Sequence, residues 1–524
     1  MIKDQSIRKS LENVVFCIAV FSAMLIFFTV LHPIPIMDED DVIYTVIVRK
    51  AIPIPGSWNP SRMMPEVLTS LCGNLAALCT AFGFGRFIDC QVVVYGLLFS
   101  LFITAYVWAF FQLLEKRFFC SRFQAVCLSI LFLMLHFLVF RTETSRNNFM
   151  FHTYDACCVF YYTVPALLGC SLVMWLMAKP DNVPALSGRN LVKESFLLLL
   201  LYFEVFSNLF GSVILAAYAG YRLLRNLIVA EKKREHTRRE KLVKQKKTEY
   251  PSCSCGKQTF WEQNTFWLGI IFSWFLAVAL EATGGRAAGT RTQVTDGKLS
   301  LSIRIGQVVS VFVKAIWNSN LLFRLMIIAI LIMSVILTFI RMKRIRDTQM
   351  LCVLRETIVW GGFTFVAVLL LCAVVEPLYA SRPEVVFPIM FVLFFLLMIG
   401  IIYILQTIPF LSVFLPAFLI IVYSMTNTRF LTFRDSNPLL LDGHVAVAIE
   451  NEIYESIIAD AEAGKTETTV KVLHSSESGN WPHDGLIGDP MAKFFLKYGI
   501  IKHEIRVHTK PSDEMNEKYN VPVP

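Results

Sequence analysis

The sequence predicts an all-α polytopic membrane protein with a small α/β domain at its C-terminal end. The chain has 524 residues, of which 55% are hydrophobic and 17% are charged. Soluble globular domains are about 45–50% apolar and about 25% charged. The apolar residues collect in runs of roughly 17–25 residues, long enough for a helix to cross a bilayer. A soluble enzyme, a coiled coil, a disordered chain and a disulfide-stapled secreted module are therefore excluded.

The first apolar run, 13–31, follows Lys3, Arg8 and Lys9. It is longer than the apolar core of a signal peptide, so we expect a retained anchor with a cytoplasmic N-terminus. Further spans are predicted over 90–114, 124–140, 157–178, 265–283, 320–340, 354–375, 385–403 and 406–425.

Two stretches leave the arrangement of the crossings open. Residues 66–86 are weakly apolar and either cross the bilayer or lie along its surface. Residues 194–224 form either one tilted helix or a hairpin of two short helices. Both arrangements give about eleven crossings with an extracytoplasmic C-terminus. We prefer the arrangement in which 66–86 lies along the surface and 194–224 forms a hairpin, because it places every basic loop in the cytoplasm. We expect the membrane to be a bacterial inner or plasma membrane.

The net charge of +9 comes largely from one loop, 225–262, whose densest part is Arg234–Lys247. Lys and Arg gather in cytoplasmic loops, so we interpret this run as a topology signal. No aromatic residues interleave it, which argues against nucleic-acid binding. The 13 cysteines lie mostly in apolar runs, and the pair Cys253 and Cys255 falls short of the four ligands of a zinc site.

Two domains follow from the change in composition after Met425. Residues 1–425 form the membrane domain, with outer loops 33–65, 284–305 and 376–384. Residues 426–524 are polar and acidic, and we expect them to form the small extracytoplasmic α/β domain. Its pattern predicts helices over 444–462 and 489–498 and strands near 468–474 and 503–508.

An acidic run directly follows the first span: Asp38, Glu39, Asp40 and Asp41. Repulsion between neighbouring carboxylates favours the binding of a proton or a cation. A carboxylate just outside the membrane is also placed to accept a proton from an incoming hydroxyl group, as a general base. The alternative is a solvated acidic loop.

The same outer loop contains Trp58 and Arg62. The planar guanidinium group of arginine suits phosphate. Trp58 either stacks on a sugar ring or anchors the chain at the membrane interface. Farther along, Tyr154 and Asp155 lead into the span that carries Tyr162, where an aromatic belt is the alternative explanation.

Further arginines lie in outer loops against the positive-inside trend: Arg286 and Arg291 in a Gly-rich loop, and Arg382 close to Tyr379. An anionic outer ligand explains them, and pairing with Glu376, Glu384 or the acidic run is the alternative. Asp155 lies at the mouth of a span, a position that favours a functional role. Glu204 lies near the middle of the apolar run 194–224.

These motifs resemble the GT-C class of integral-membrane glycosyltransferases, and more narrowly an uncharacterised bacterial branch akin to the O-antigen glucosyl-transferring enzymes. The matching elements are Asp40-Asp41, Asn59 to Arg62, His152 to Tyr154 with Tyr161 and Pro165, Gly284 to Arg291, and Pro377, Tyr379 and Arg382. The third element lacks the Trp and the Gly of the family pattern.

The resemblance implies an inverting hexosyltransferase of cell-envelope polysaccharide biosynthesis. It would move a sugar from a polyprenyl-phosphate-linked donor to a glycan or lipid acceptor at the outer face. The expected site consists of a base (Asp40 or Asp41, with Asp155 as the alternative), phosphate ligands (Arg62, Arg286, Arg291 and Arg382) and substrate contacts (Trp58, Tyr154, Tyr162, Glu204 and Tyr379).

We name no cofactor or metal ligand, although the acidic run leaves a divalent cation, Mg²⁺ or Mn²⁺, open. The expected partners are the lipid-linked donor, the acceptor and the bilayer. The alternative functions are a polysaccharide polymerase or ligase, and a lipid or solute transporter.

Overall fold

The computed structural model describes residues 2–37, 39–139, 150–151, 156–179, 190–244, 260–289, 300–341, 348–426, 441–475 and 487–523. In these ranges seven helices are long and apolar enough to cross a membrane, or eight if one bent pair forms a single span. The prediction of a multi-pass, all-α membrane protein is confirmed. The predicted number of about eleven crossings is not confirmed.

The helices of the membrane domain are α1 (Ile2–Ile26), α2 (Glu39–Val46), α3 (Met63–Ala81), α4 (Phe87–Lys116), α5 (Arg122–Leu138), α6 (Ala156–Met177), α7 (Leu191–Val205), α8 (Leu209–Lys244), α9 (Phe260–Ala282), α10 (Leu301–Trp317), α11 (Leu321–Arg341), α12 (Thr348–Val375), α13 (Pro383–Thr407) and α14 (Leu415–Met425). Residues 285–289, which include Arg286, are also helical. A π-helical turn extends α1 to Leu31, and another lies inside α6 over Val159–Thr163. Short 3₁₀ turns precede α13 and α14, over Pro377–Ser381 and Pro409–Phe414.

The span count differs from the prediction where helices are short or broken. The apolar helices Arg122–Leu138 and Pro409–Met425 are shorter than a full crossing. The run 194–224 divides at residues 206–208 into α7 and α8. Helix α10 begins at Leu301, inside the segment predicted as outer loop 284–305. Because Arg304 and Lys314 interrupt its apolar pattern, α10 was not recognised as a helix.

Helices α6 and α13 form the centre of the bundle, since most of their residues are buried. Helix α6 packs against both α4 and α8, and α13 packs against α11 and α12. Helix α1 lies along α4 and leaves most of its apolar surface exposed, as expected where a helix faces lipid. Helices α10 and α11 meet at an angle of 97°.

The tail has the predicted mixture of helices and strands. It contains α15 (Gly443–Glu462), β1 (Glu467–Leu473), α16 (Asp489–Lys497), β2 (Arg506–Ser512) and α17 (Asp513–Lys518). The two strands pair in parallel, from Glu467 opposite Arg506 to Leu473 opposite Ser512. Helix α15 packs on β1, and Asp442 caps it by accepting a hydrogen bond from the His444 backbone N–H.

The tail contacts the end of the bundle at which α4 begins. The Phe87 ring, in the first turn of α4, packs edge-to-face against the rings of Tyr454 and Phe495, at 6.1 and 5.2 Å between centroids. The Asn451 amide donates a hydrogen bond to Asp89 at 2.9 Å. Helix α16 also touches α2, so the tail lies close to the acidic run.

Candidate functional site

Three arginines from distant parts of the sequence surround the side chain of Tyr162. The guanidinium carbons of Arg62 and Arg382 lie 5.9 and 5.7 Å from the centre of the Tyr162 ring. The Nη2 atom of Arg286 lies 3.5 Å from the Tyr162 hydroxyl oxygen. Arg62 precedes α3, Arg286 follows α9 and Arg382 precedes α13. The fold therefore gathers three cations from the predicted outer loops into one cluster, which we call the arginine cluster.

Tyr379 provides a second aromatic wall. Its ring centre lies 5.1 Å from the Arg382 guanidinium carbon, and its hydroxyl oxygen is 3.5 Å from Arg286 Nη2. The neighbouring phenol of Tyr162 and then burial raise the pKa of Tyr379. The Tyr162 phenol is also the main cause that raises the pKa of Arg286. Tyr379 thus keeps its proton while Arg286 stays charged.

Arg382 has a carboxylate partner, as the alternative interpretation of the outer arginines anticipates. Its Nε atom lies 2.5 Å from Oε1 of Glu384, and its Nη2 atom lies 3.5 Å from the sulfur of Cys158. Burial alone would lower the pKa of Arg382, but Glu384 and the nearby thiol and phenol groups raise it well above its ordinary value. Arg382 is therefore a charged but largely compensated member of the cluster.

Arg62 is held differently. Only 8% of it is exposed, and its guanidinium carbon lies 5.0 Å from the centre of the Tyr161 ring. Within the part of the chain that the structure describes, its Nη1 atom has no hydrogen-bond acceptor. A buried donor without an acceptor costs about 1–3 kcal/mol. The position therefore suits an external anion.

A network of buried polar side chains supports the Tyr161 ring. The Tyr161 hydroxyl donates a 2.6 Å hydrogen bond to Oε1 of Glu66, and the other oxygen of that carboxylate pairs with Arg49. The Asn59 amide donates to Glu66 at 3.2 Å and to the Tyr44 hydroxyl at 2.9 Å. Burial raises the pKa of Tyr44 to about 12, so its phenol stays neutral. This network fixes the surface on which Arg62 lies.

The two loops that carry Arg62 and Arg286 are joined directly. Oε1 of Glu281, at the end of α9, accepts hydrogen bonds from the backbone N–H of Ser61 at 2.9 Å and from its hydroxyl at 2.6 Å. The Arg286 backbone N–H donates to the carbonyl oxygen of Trp58 at 3.3 Å. The Trp58 side chain itself is 62% exposed. These bonds set the distance between the two loops.

The predicted bases Asp40 and Asp41 differ in their surroundings. Both lie in helix α2, within the predicted outer loop 33–65. Asp40 is exposed. The Asp41 carboxylate is fully buried and accepts hydrogen bonds from the backbone N–H groups of Met37 at 2.9 Å and Cys157 at 2.6 Å. Asp41 therefore joins the end of the first span to the start of α6.

Glu204, expected among the substrate contacts, lies next to the break between α7 and α8. It is fully buried in the last turn of α7, where its carboxyl group lies against Gly169 of α6. Within the described ranges neither carboxyl oxygen has a hydrogen-bond partner. The predicted site residues Tyr154, Asp155 and Arg291 lie outside the described residues. The described residues contain no group of three or more His, Cys, Asp or Glu side chains that could hold a metal ion.

Three residues of the site carry no motif in the sequence: Arg49, Glu66 and Glu281. Glu66 lies in the weakly apolar stretch 66–86, and its partner Arg49 is seventeen positions away in a loop. Glu281 ends a span, where acids are common. An acid in such an apolar setting is a weak signal that would have pointed to Glu66.

Comparison with family models, curated proteins and solved structures gave no match to this chain. The interpretation of the site therefore depends on its own geometry.

Proposed function

We propose that this protein is a membrane glycosyltransferase that transfers a sugar from a polyprenyl-phosphate-linked donor to a glycan or lipid acceptor. The observation that supports the proposal most strongly is the convergence of Arg62, Arg286 and Arg382 around Tyr162. A lipid-linked donor places its phosphate at the membrane boundary, where a charged, partly buried arginine cluster binds it well.

We assign the general base to Asp40. A base must reach the acceptor hydroxyl in the productive complex, and Asp40 is exposed at the start of α2. The carboxylate of Asp41 is buried and accepts two backbone hydrogen bonds, which suits a positioning role. Tyr162 and Tyr379 line the donor site, and Trp58 provides an exposed surface for a sugar ring. The base removes the acceptor proton as the acceptor oxygen displaces the lipid phosphate, with inversion.

The proposal includes the GT-C-like arrangement and the topology that the sequence predicts. The N-terminus would be cytoplasmic, and the arginine cluster and the tail would face outwards from a bacterial inner membrane. The far end of the bundle supports this orientation, because positive charges gather on the cytoplasmic side of a membrane protein. Helix α4 has 30 residues and so rises about 45 Å. Arg117, which follows α4 and lies 3.7 Å from Glu356, is therefore at the end opposite the tail.

The test is transfer of a labelled sugar in proteoliposomes, using a panel of purified polyprenyl-phosphate-linked donors. We expect activity with at least one donor. The Arg62→Lys variant should bind polyprenyl phosphate about 10–100-fold more weakly, because lysine does not reproduce the planar contact of a guanidinium group. Arg8→Lys, whose side chain is 83% exposed at the other side of the first span, is the matched control. Absence of transfer from every donor would overturn the proposal.

A transporter remains the second candidate, because two helix breaks and one buried acid favour it. Broken helices that surround an intramembrane acid are typical of transporters. Here the breaks lie at residues 206–208 and 318–320, and Glu204 lies next to the first of them. Substrate-dependent flux across proteoliposomes without sugar transfer would favour this function.

A further inference from the structure

Helix α8 begins with a capped N-terminus at Asn208. The side-chain oxygen of Asn208 accepts a 2.8 Å hydrogen bond from the Phe210 backbone N–H, and its carbonyl oxygen accepts one from Ser212 at 2.9 Å. Such a cap satisfies only one of the free N–H groups of a first turn. The helix has 36 residues, so its N-terminus carries the partial positive charge of a long helix.

This N-terminus lies against the arginine cluster. The Phe210 ring centre is 6.3 Å from that of Tyr162 and 6.3 Å from that of Tyr379. Gly211 permits the approach, because a Cβ at this position would lie 3.1 Å from the backbone nitrogen of Ala166, one helical turn beyond Tyr162. The positive end of α8 therefore meets the same tyrosines that contact the three arginines.

The cap of α8 is also tied to Arg62. The backbone N–H of Met63, the next residue after Arg62, donates a 3.0 Å hydrogen bond to the carbonyl oxygen of Phe206, two residues before Asn208. Asn208 is only 3% exposed. In the described structure its amide nitrogen, like Nη1 of Arg62, has no acceptor. Two buried donors on adjoining segments thus lack the same kind of partner.

One oxyanion would satisfy both donors and the charge around them. A positive helix end beside guanidinium groups is unfavourable unless negative charge lies between them. Two acids of the site already have cationic partners among the described side chains, because Glu384 pairs with Arg382 and Glu66 pairs with Arg49. Helix N-termini bind phosphate for this reason in other folds.

We propose that Asn208 and the first turn of α8 form, with Arg62, an oxyanion-binding subsite in which the Asn208 amide donates to a phosphate oxygen. The inference rests on the proposed function, because the phosphate is taken to be that of the lipid-linked donor. The same oxyanion chemistry also fits free phosphate or an anionic lipid headgroup. Asn208 is then a binding residue, and α8 connects the phosphate to the centre of the bundle.

Two substitutions separate this role from the role of the cap. Asn208→Ser and Asn208→Asp both keep a side-chain oxygen that caps the helix, and both remove the amide donor. We expect about tenfold weaker binding of polyprenyl phosphate for Asn208→Ser. For Asn208→Asp, which adds a negative charge, we expect about 100-fold weaker binding. Asn190→Ser is the matched control, because Asn190 caps α7 by accepting from the Lys193 N–H at an exposed position.

The measurement uses the full chain in phosphatidylcholine nanodiscs, titrated separately with polyprenyl phosphate, inorganic phosphate and phosphatidylglycerol. Equal binding of polyprenyl phosphate by the wild type and both Asn208 variants, with a loss in Arg62→Lys, would overturn the subsite and leave the proposed function standing. Equal binding by all variants, Arg62→Lys included, would overturn both. An Asn208 dependence seen with phosphatidylglycerol or inorganic phosphate but not with polyprenyl phosphate would support the oxyanion subsite and overturn the lipid-linked donor.

Discussion

The guanidinium carbon of Arg62 lies 5.0 Å from the centre of the Tyr161 ring, in a setting where Arg62 is only 8% exposed. A cation held on an aromatic face is positioned without consuming its hydrogen-bond donors. Arg62 is thus placed for a ligand while its Nη1 donor has no acceptor among the described residues. The network behind Tyr161 should therefore affect ligand binding through Arg62.

Removing the Tyr161 hydroxyl tests this relationship. Tyr161→Phe keeps the ring beneath Arg62 but deletes the 2.6 Å hydrogen bond to Glu66. We expect a loss of about 1–2 kcal/mol in the free energy of unfolding, because the buried carboxylate loses a donor. Polyprenyl phosphate should bind a few-fold more weakly. Denaturant titration and binding in nanodiscs measure the two effects. Tyr423→Phe, at a tyrosine that is 66% exposed, should change neither.

The buried pair of Arg49 and Glu66 should behave as a unit. Arg49→Met alone leaves the Glu66 carboxylate buried without its charged partner, which costs about 3–5 kcal/mol. Adding Glu66→Gln removes the stranded charge, so the double variant should recover part of that loss. Unfolding free energies of the wild type, the two single variants and the double variant give the coupling. Strictly additive effects would contradict the pairing.

The contact between the two outer loops depends on Gly284. A Cβ at this position would lie 2.6 and 2.8 Å from the Cδ and Cγ atoms of the Pro60 ring. Gly284→Ala should therefore separate the loops, destabilise the protein by about 1–3 kcal/mol and weaken phosphate binding. Gly306→Ala in α10 has open space around its Cβ position and is the control. A Gly284→Ala variant as stable as the wild type would show that the loops adapt freely.

Acid should weaken the folded state through His32. Burial lowers the pKa of His32 below its ordinary value of 6.5, with Asp442 opposing the shift and His444 adding to it. Below pH 6.5 the His32 side chain binds a proton in the unfolded chain, whereas in the folded protein it binds one only at lower pH. The stability contributed by neutral His32 is therefore complete above pH 6.5 and decreases as the pH falls towards the lower folded pKa.

Melting temperatures between pH 7.5 and 5.5 measure this effect. The wild type should lose more stability on acidification than His32→Gln, which does not titrate. A difference between the two proteins that stays constant across this range would contradict the prediction.

Local sequence patterns predicted the helices and the tail better than the polar contacts of the site. Long apolar runs and alternating residues are local patterns, so they predict the seven long apolar helices and the two strands of the described ranges. The pairing of Arg49 with Glu66, and of Ser61 with Glu281, depends on tertiary packing that brings distant segments together. No local pattern encodes such a pairing. The charge of the outer arginines opposes the topology rule and so marks them in the sequence, whereas Glu66 and Glu281 carry no such signal.

The π-helical turn in α6 has a consequence for how this segment can change length during evolution. A π turn contains one residue more than the α-helical turn that it replaces. Deleting one residue of Val159–Thr163 would let this turn wind as a regular α-helix, and the helical segments on either side would stay close to their present orientation. Cys157 would then still face Asp41, whereas the residues inside the turn would shift, Tyr162 among them, and its ring would move relative to Arg382. Loss of one residue from these five positions should therefore spare the packing of the bundle and alter the arginine cluster.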